Sequence, residues 1–150
     1  MRTKQPAAPG ENERLFAAAR AAVERAYAPY SGYRVGAAVR DERGRIFAGA
    51  NVENASYGLT LCAERAAVGA AVSGGARRIQ AVAVAASRPP EPVPCGACRQ
   101  VLAEFAAPGT PVYVLAPAGA VRRFRLGALL PRGFALRPPP RRRAREDGRP

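Results

Sequence analysis

Ile79-Gln80-Ala81-Val82-Ala83-Val84-Ala85-Ala86 is a nearly unbroken apolar run, preceded by Arg78 and followed by Ser87-Arg88-Pro89-Pro90. A run of this length and content suits a strand covered on both faces, the central strand of an α/β sheet. Downstream, Arg88 to Pro94 holds four prolines and reads as a loop. Cys95 to Ala106 follows with a helical pattern that puts Cys95, Cys98, Val101, Leu102 and Phe105 on one side. Pro111 to Ala116 reads as a second strand, and a short helix is expected near Leu126 to Leu130.

Upstream, Thr60 is placed to cap a helix that carries Cys62, Ala66, Ala67, Ala70 and Ala71 and stops at Ser73-Gly74-Gly75. Asn51 to Gly58 is polar and loop-like. Tyr33–Arg40 and Arg45–Ala50 flank Asp41-Glu42-Arg43-Gly44 and predict a hairpin. Glu11 to Ala28 shows apolar residues at three- and four-residue steps, an amphipathic helix closed by Pro29-Tyr30-Ser31-Gly32. Helix, hairpin, helix, strand, helix, strand and a short closing helix make a three-layer α/β domain with a mixed sheet. Such a sheet brings both cysteine-bearing helix N-termini to the edge where open α/β sheets keep their sites.

The chain has 150 residues, 48% of them hydrophobic, which suits one packed domain over residues 11–136. Residues 1–10 and 137–150 are expected to be disordered tails, the second rich in Arg and Pro. Residues 1–10 lack a secretory pattern and no apolar run is long enough to span a membrane, so a cytoplasmic setting is expected. The formal charge of +13 invites a nucleic-acid reading. Lys4 is the only lysine, however, and Ala, Gly and Pro are abundant, which points to compositional bias. Nucleic-acid binding by the basic tail is therefore possible but not expected to be functional. That tail also has no interleaved aromatic residue for base stacking.

Three cysteines and no histidine bound the chemistry. Histidine-based triads and dyads are excluded within the chain. Cys95 and Cys98 stand one turn apart at a helix start, and Cys62 sits at the start of another helix, positions that favour thiolates. Three thiolates suit zinc. Closed structural zinc sites use four protein ligands, whereas a three-ligand site leaves a position for water. A carboxylate or a second chain remains open as a fourth ligand. Glu64, two residues after Cys62, is the candidate acid–base group beside that open position. Arg65 offsets part of the thiolate charge. A redox reading of Cys95-Gly96-Ala97-Cys98 leaves Cys62 without a part and follows a proline loop instead of a buried strand.

Cys62-Ala63-Glu64 with Pro94-Cys95-Gly96-Ala97-Cys98 matches the zinc-deaminase signature in its three-cysteine form. The chain resembles the small homotetrameric cytidine deaminases over residues 12 to 135. Further stretches carry that likeness: Ala28-Pro29-Tyr30-Ser31, Val35-Gly36-Ala37-Ala38, Asn51 to Thr60, Arg99 to Phe105 and Leu129 to Phe134. The resemblance implies an α/β/α sandwich with a mixed five-stranded sheet, one zinc ion per chain, and hydrolytic deamination of cytidine and deoxycytidine. Blasticidin S or a modified cytidine is the alternative substrate, and a polynucleotide base is disfavoured by the Asn51–Asn54 segment.

The resemblance also implies residue roles. Cys62, Cys95 and Cys98 would be the ligands and Glu64 the catalyst. Asn51 and Glu53 would bind the ribose hydroxyls, and Tyr33, where the family usually has Phe, would pack on the nucleoside. Asn54, Tyr57, Ala63 and Phe134 complete the substrate-binding set, with Phe134 closing the pocket from a neighbouring subunit and Tyr57 near a subunit boundary.

Overall fold

A computed structural model describes residues 10–136. The expected tail at 137–150 and all but Gly10 of the one at 1–10 lie outside the described residues. The elements are α1 (Glu11–Val23), β1 (Val35–Asp41), β2 (Ile46–Ala50), α2 (Ala63–Ser73), β3 (Ile79–Ala86), α3 (Gly96–Phe105), β4 (Pro111–Leu115), β5 (Val121–Arg125) and α4 (Leu126–Leu129). A 3-10 turn spans Tyr57–Leu59.

The sheet runs β2-β1-β3-β4-β5. The β1 strand is antiparallel to both β2 and β3, β3 is parallel to β4, and β4 is antiparallel to β5. The apolar run at 79–86 is indeed the central strand, and its pleat divides the core. Ala81, Ala83 and Ala85 pack with Leu15, Ala19 and Val23 of α1. Val82 and Val84 face Ala67, Val68, Ala71 and Leu102 of α2 and α3. Period-two alternation of small and branched side chains thus builds the α/β/α layers. Two glycines let the helices approach. A Cβ at Gly36 would overlap the Ala19 carbonyl of α1, and one at Gly49 would overlap the Ala67 amide of α2.

Because β1 is antiparallel to both neighbours, β2 and β3 point the same way. The α2 helix follows β2 through residues 51–62, and α3 follows β3 through 87–95, so both helices begin at one edge of the sheet.

Three expectations are corrected. The first helix ends at Val23, not Ala28, because the backbone tightens through Glu24–Ala26 and Tyr27 is taken by another partner. The Tyr27 amide donates to the Asn51 carbonyl at 2.9 Å, and the Glu53 amide donates to the Tyr27 carbonyl at 2.8 Å. Thr60 does not cap α2; Cys62 is the N-cap residue, and Thr60 Oγ1 accepts the Asn54 amide. Finally, the sequence pattern by itself gave four strands, and β5, which reads Val-Arg-Arg-Phe-Arg, is the fifth. It lies at the sheet edge, where arginine side chains reach solvent and discourage further strand pairing.

Candidate metal centre and nucleoside cleft

Cys62 and Cys95 occupy equivalent positions as the extended N-cap residues of α2 and α3. Neither caps its helix with its thiol, so both sulfurs are free to point elsewhere. Their carbonyls accept the first helical bonds, from the Ala66 amide at 3.1 Å and the Arg99 amide at 3.0 Å. Cys98 stands one turn into α3 and is fully buried.

The three Sγ atoms all lie within 4.8 Å of one another. Cys62 Sγ is 3.9 Å from Cys95 Sγ, which is 3.5 Å from Cys98 Sγ. Two thiolates on one tetrahedral zinc, each about 2.3 Å from the metal, stand about 3.8 Å apart. The observed spacings bracket that value, and all three cysteines are free of disulfides.

The electrostatics also call for a cation. The Cys62 thiol is lowered to about 5 by the hydrogen bond with Cys98, then by Arg65 and Cys95, against opposing burial. Cys98 is pushed up by that same bond to Cys62, by burial and by the nearby negative charges of Glu64 and Cys62. One sulfur ionises readily and the next is resisted, as expected for like charges in one cluster. A divalent ion among the sulfurs removes that conflict.

Arg65 lies beside this cluster. Its Nη2 donates to the Thr60 carbonyl at 2.9 Å and to Cys62 Sγ at 3.7 Å. Arg99, not anticipated, holds the other arm: Nε donates to the Pro94 carbonyl at 2.6 Å and Nη1 to the Leu129 carbonyl at 3.0 Å.

A cleft of about 270 Å3 opens beside the sulfurs. It is lined by Tyr33, Asn51, Glu53, Cys62, Ala63, Glu64 and Cys95 from the expected set, with Ser31, Val35, Thr60, Pro92 and Val93 added. A larger groove of about 650 Å3, between α3 and α4, contains no thiol and shares no lining residue with this cleft, although Phe134 lines it. Glu64 is 6% exposed, and burial, with the Cys62 charge, raises its carboxyl above the ordinary range.

Asn51 and Glu53 already have partners. Asn51 Oδ1 accepts the Val35 amide at 2.8 Å, and its Nδ2 donates to the Tyr33 carbonyl at 2.9 Å. Glu53 accepts the Tyr30 and Ser31 amides and the Ser31 hydroxyl, and that hydroxyl comes first among the causes that hold its carboxyl below the usual range. An amide nitrogen has a second hydrogen and a carboxylate about four lone-pair sites, so each keeps capacity for a ligand.

Asn54, Tyr57 and Phe134 do not line this cleft in their own chain. Asn54 Oδ1 accepts the Ser56 amide in the loop. Tyr57 is 65% exposed and meets Tyr30 edge to face at 5.9 Å. Phe134 is 72% exposed, and Gln100 of α3 fixes its backbone by two reciprocal hydrogen bonds.

The family model "Cytidine and deoxycytidylate deaminase zinc-binding region" matches residues 9–114. The chain belongs to the cytidine deaminase family. Among its relatives, the cytidine deaminase of Sporosarcina psychrophila is 46% identical over 123 residues, 82% of this chain and 90% of the relative. That of Mycobacterium tuberculosis (strain H37Rv) is 48% identical over 118 residues, 79% of this chain and 85% of the relative. The crystal structure of cytidine deaminase from Burkholderia pseudomallei superimposes with a TM-score of 0.77 at 47% identity, covering 81% of this chain and 98% of that one. The mixed five-stranded sheet between helical layers is thus the fold of this family.

Proposed function

We propose that the protein hydrolyses cytidine and deoxycytidine to uridine and deoxyuridine with release of ammonia. The observation that carries this reading is a cluster of three thiols, two of which line one cleft together with a buried glutamate and the polar side chains of Asn51 and Glu53. The relatives are named cytidine deaminases, which does not favour the alternative substrate, blasticidin S or a modified cytidine.

Cys62, Cys95 and Cys98 would hold one zinc ion. Zinc, when bound, supplies a Lewis acid that makes a water molecule easier to deprotonate. Glu64 takes a proton from the attacking water and passes it to N3 of the pyrimidine as oxygen adds to C4. It then moves a second proton to the amino group, and the C4–N bond breaks to give ammonia. Its burial supports this role, since a carboxyl raised above its ordinary range holds a proton more readily and can pass it on. Asn51 and Glu53 address the ribose hydroxyls with their remaining hydrogen-bond capacity. Tyr33 and Ala63 line the base side of the cleft, and Asn54 steadies the loop beside it.

We further propose a homotetramer in which Tyr57 and Phe134 serve neighbouring copies. Tyr27, Tyr30, Val52, Tyr57, Leu59 and Leu61 are large, exposed and close in sequence to the cleft segment, an unusual surface for a monomer. Three free thiols support a reducing, cytoplasmic setting. Among the described residues no helix is long and apolar enough to cross a membrane.

The test is loss of the cytidine absorbance band on incubation with purified protein, paired with a zinc assay. Turnover with about one zinc per chain is expected. Zinc without turnover of either nucleoside overturns the substrate assignment, and protein purified without chelator that holds no zinc overturns the metal centre.

A further inference from the structure

The β1–β3 ladder ends with Val35 opposite Ala86. One more pair of bonds follows, from the Ser87 amide to the Arg34 carbonyl at 2.9 Å and from the Arg34 amide to Ser87 Oγ at 3.3 Å. Beyond this point both segments of the chain line the cleft, Ser31 and Tyr33 from one and Pro92, Val93 and Cys95 from the other. The contacts that continue across the gap come from side chains. Arg88 Nη2 donates to the Ser31 carbonyl at 2.9 Å, and its guanidinium lies over the Tyr33 ring, 5.6 Å from the centroid. The Tyr33 hydroxyl donates to the Pro90 carbonyl at 2.5 Å. The far end of the same loop is held by an ion pair between Glu91 and Arg122 of β5 at 2.9 Å.

We propose that Arg88 is a positioning residue for the nucleoside: it latches the 88–93 loop to the Ser31–Tyr33 wall and so fixes the width of the cleft and the plane of the Tyr33 ring. The proposal rests on the cytidine deaminase reading. The geometry assigns the Tyr33 hydroxyl to the latch, its proton directed at Pro90 and not at the substrate. Arg88 suits the task for a specific reason. A planar guanidinium can lie over an aromatic face while an edge N–H reaches a carbonyl, a wider and more rigid span than the compact ammonium of lysine offers. The same Ser31 whose carbonyl Arg88 holds also donates its hydroxyl to Glu53, so the latch reaches the proposed sugar site through one residue.

The experiment compares zinc-loaded wild type, Arg88→Ala and Arg88→Lys. Arg88 is exposed, so loss of folding is not expected. In Arg88→Ala, KM for cytidine should rise about fivefold, the loss expected for one hydrogen bond, while kcat changes less than about twofold. Zinc content and melting temperature should match wild type, and Arg88→Lys should recover part of the KM. Hydrogen exchange read by mass spectrometry should quicken at residues 31–33 and 88–93 in Arg88→Ala. An unchanged KM, or a fall in kcat with KM unchanged, overturns the proposal. Wild-type protein that binds zinc but leaves cytidine intact sinks the deaminase reading instead. The latch is then judged by exchange, and identical exchange in wild type and Arg88→Ala overturns it.

Discussion

Cys62 Sγ and Cys95 Sγ meet at 3.9 Å although 33 residues separate them in sequence. The meeting follows from topology: β2 and β3 run in the same direction on either side of β1, and each delivers its chain to a helix that starts with a cysteine. The third sulfur then costs the fold little, because Cys98 is one turn along the same helix as Cys95. Helix N-termini supply the partial positive charge that thiolates need.

Removal of the buried ligand tests this centre directly. Cys98→Ala leaves two sulfurs, one of them exposed, and should reduce bound zinc to about a tenth of the wild-type level or less, given the weakness of two-ligand sites. Metal analysis of the purified variant decides it. Full metallation would refute Cys98 as a ligand.

Glu64→Gln keeps the size of the side chain but removes its capacity to accept a proton. Zinc content should be unchanged, while kcat should fall by about 10²–10⁴. Steady-state assays on metallated protein measure the effect, and near-normal turnover would remove Glu64 from the mechanism.

Metal removal should act on stability as well as on activity. The proposed zinc binds the assembled cluster and links α2 to α3, so chelation is expected to lower the melting temperature and readdition of zinc to restore it. Thermal scans with and without excess zinc report this. A melting temperature indifferent to chelator, in protein shown to lose its metal, would mean that the two helix starts are held without the ion.

The parts of this design legible in the sequence are those written in local pattern. The apolar run Ile79–Ala86 suits a covered strand, and three cysteines without histidine point to a three-ligand metal shell. The Tyr27 backbone was not legible, because helical periodicity continues past Val23, where the chain tightens through Glu24–Ala26 and Tyr27 bonds to Asn51 and Glu53 instead. The β5 strand was hidden by Arg122, Arg123 and Arg125, which suit an exposed edge but erase the apolar alternation. Contacts made by Arg88, Arg99 and Gln100 join segments 30 or more residues apart, and no periodicity announces them.

The hairpin that delivers β2 to the site depends on Asp41, and this dependence should vary with pH. Its Oδ1 accepts the Arg43 and Arg45 amides at 2.9 and 2.8 Å, and its Oδ2 accepts Arg45 Nε at 2.8 Å. Burial opposes ionisation, but these donors prevail and hold the carboxyl below the usual range. A carboxyl depressed in the folded state stabilises the fold above its unfolded value, about 3.9, and loses that contribution as pH falls through the folded value. Asp41→Ala should therefore cost about 1–3 kcal/mol at neutral pH, with the gap from wild type narrowing in acid below about pH 4. Denaturant unfolding at several pH values measures it. A gap that widens on acidification would contradict the assignment.

Two glycines in and against α2 should respond to alanine in opposite directions. Gly49 of β2 lies under the helix, where a Cβ would overlap the Ala67 amide and stand 2.8 Å from the Ala63 carbonyl oxygen. Both are backbone atoms and cannot swing aside, so α2 itself must shift, and with it Cys62 and Glu64. Gly49→Ala should destabilise by about 1–3 kcal/mol and also weaken zinc retention. Gly69, exposed within α2, has nothing within 4 Å of its Cβ position. There alanine restores ordinary helix propensity and should stabilise by about 0.5–1 kcal/mol with zinc binding untouched. Chemical denaturation of both variants with metal analysis reads the contrast. If Gly49→Ala held its zinc and stability, α2 would not be seated on β2 as closely as its packing requires.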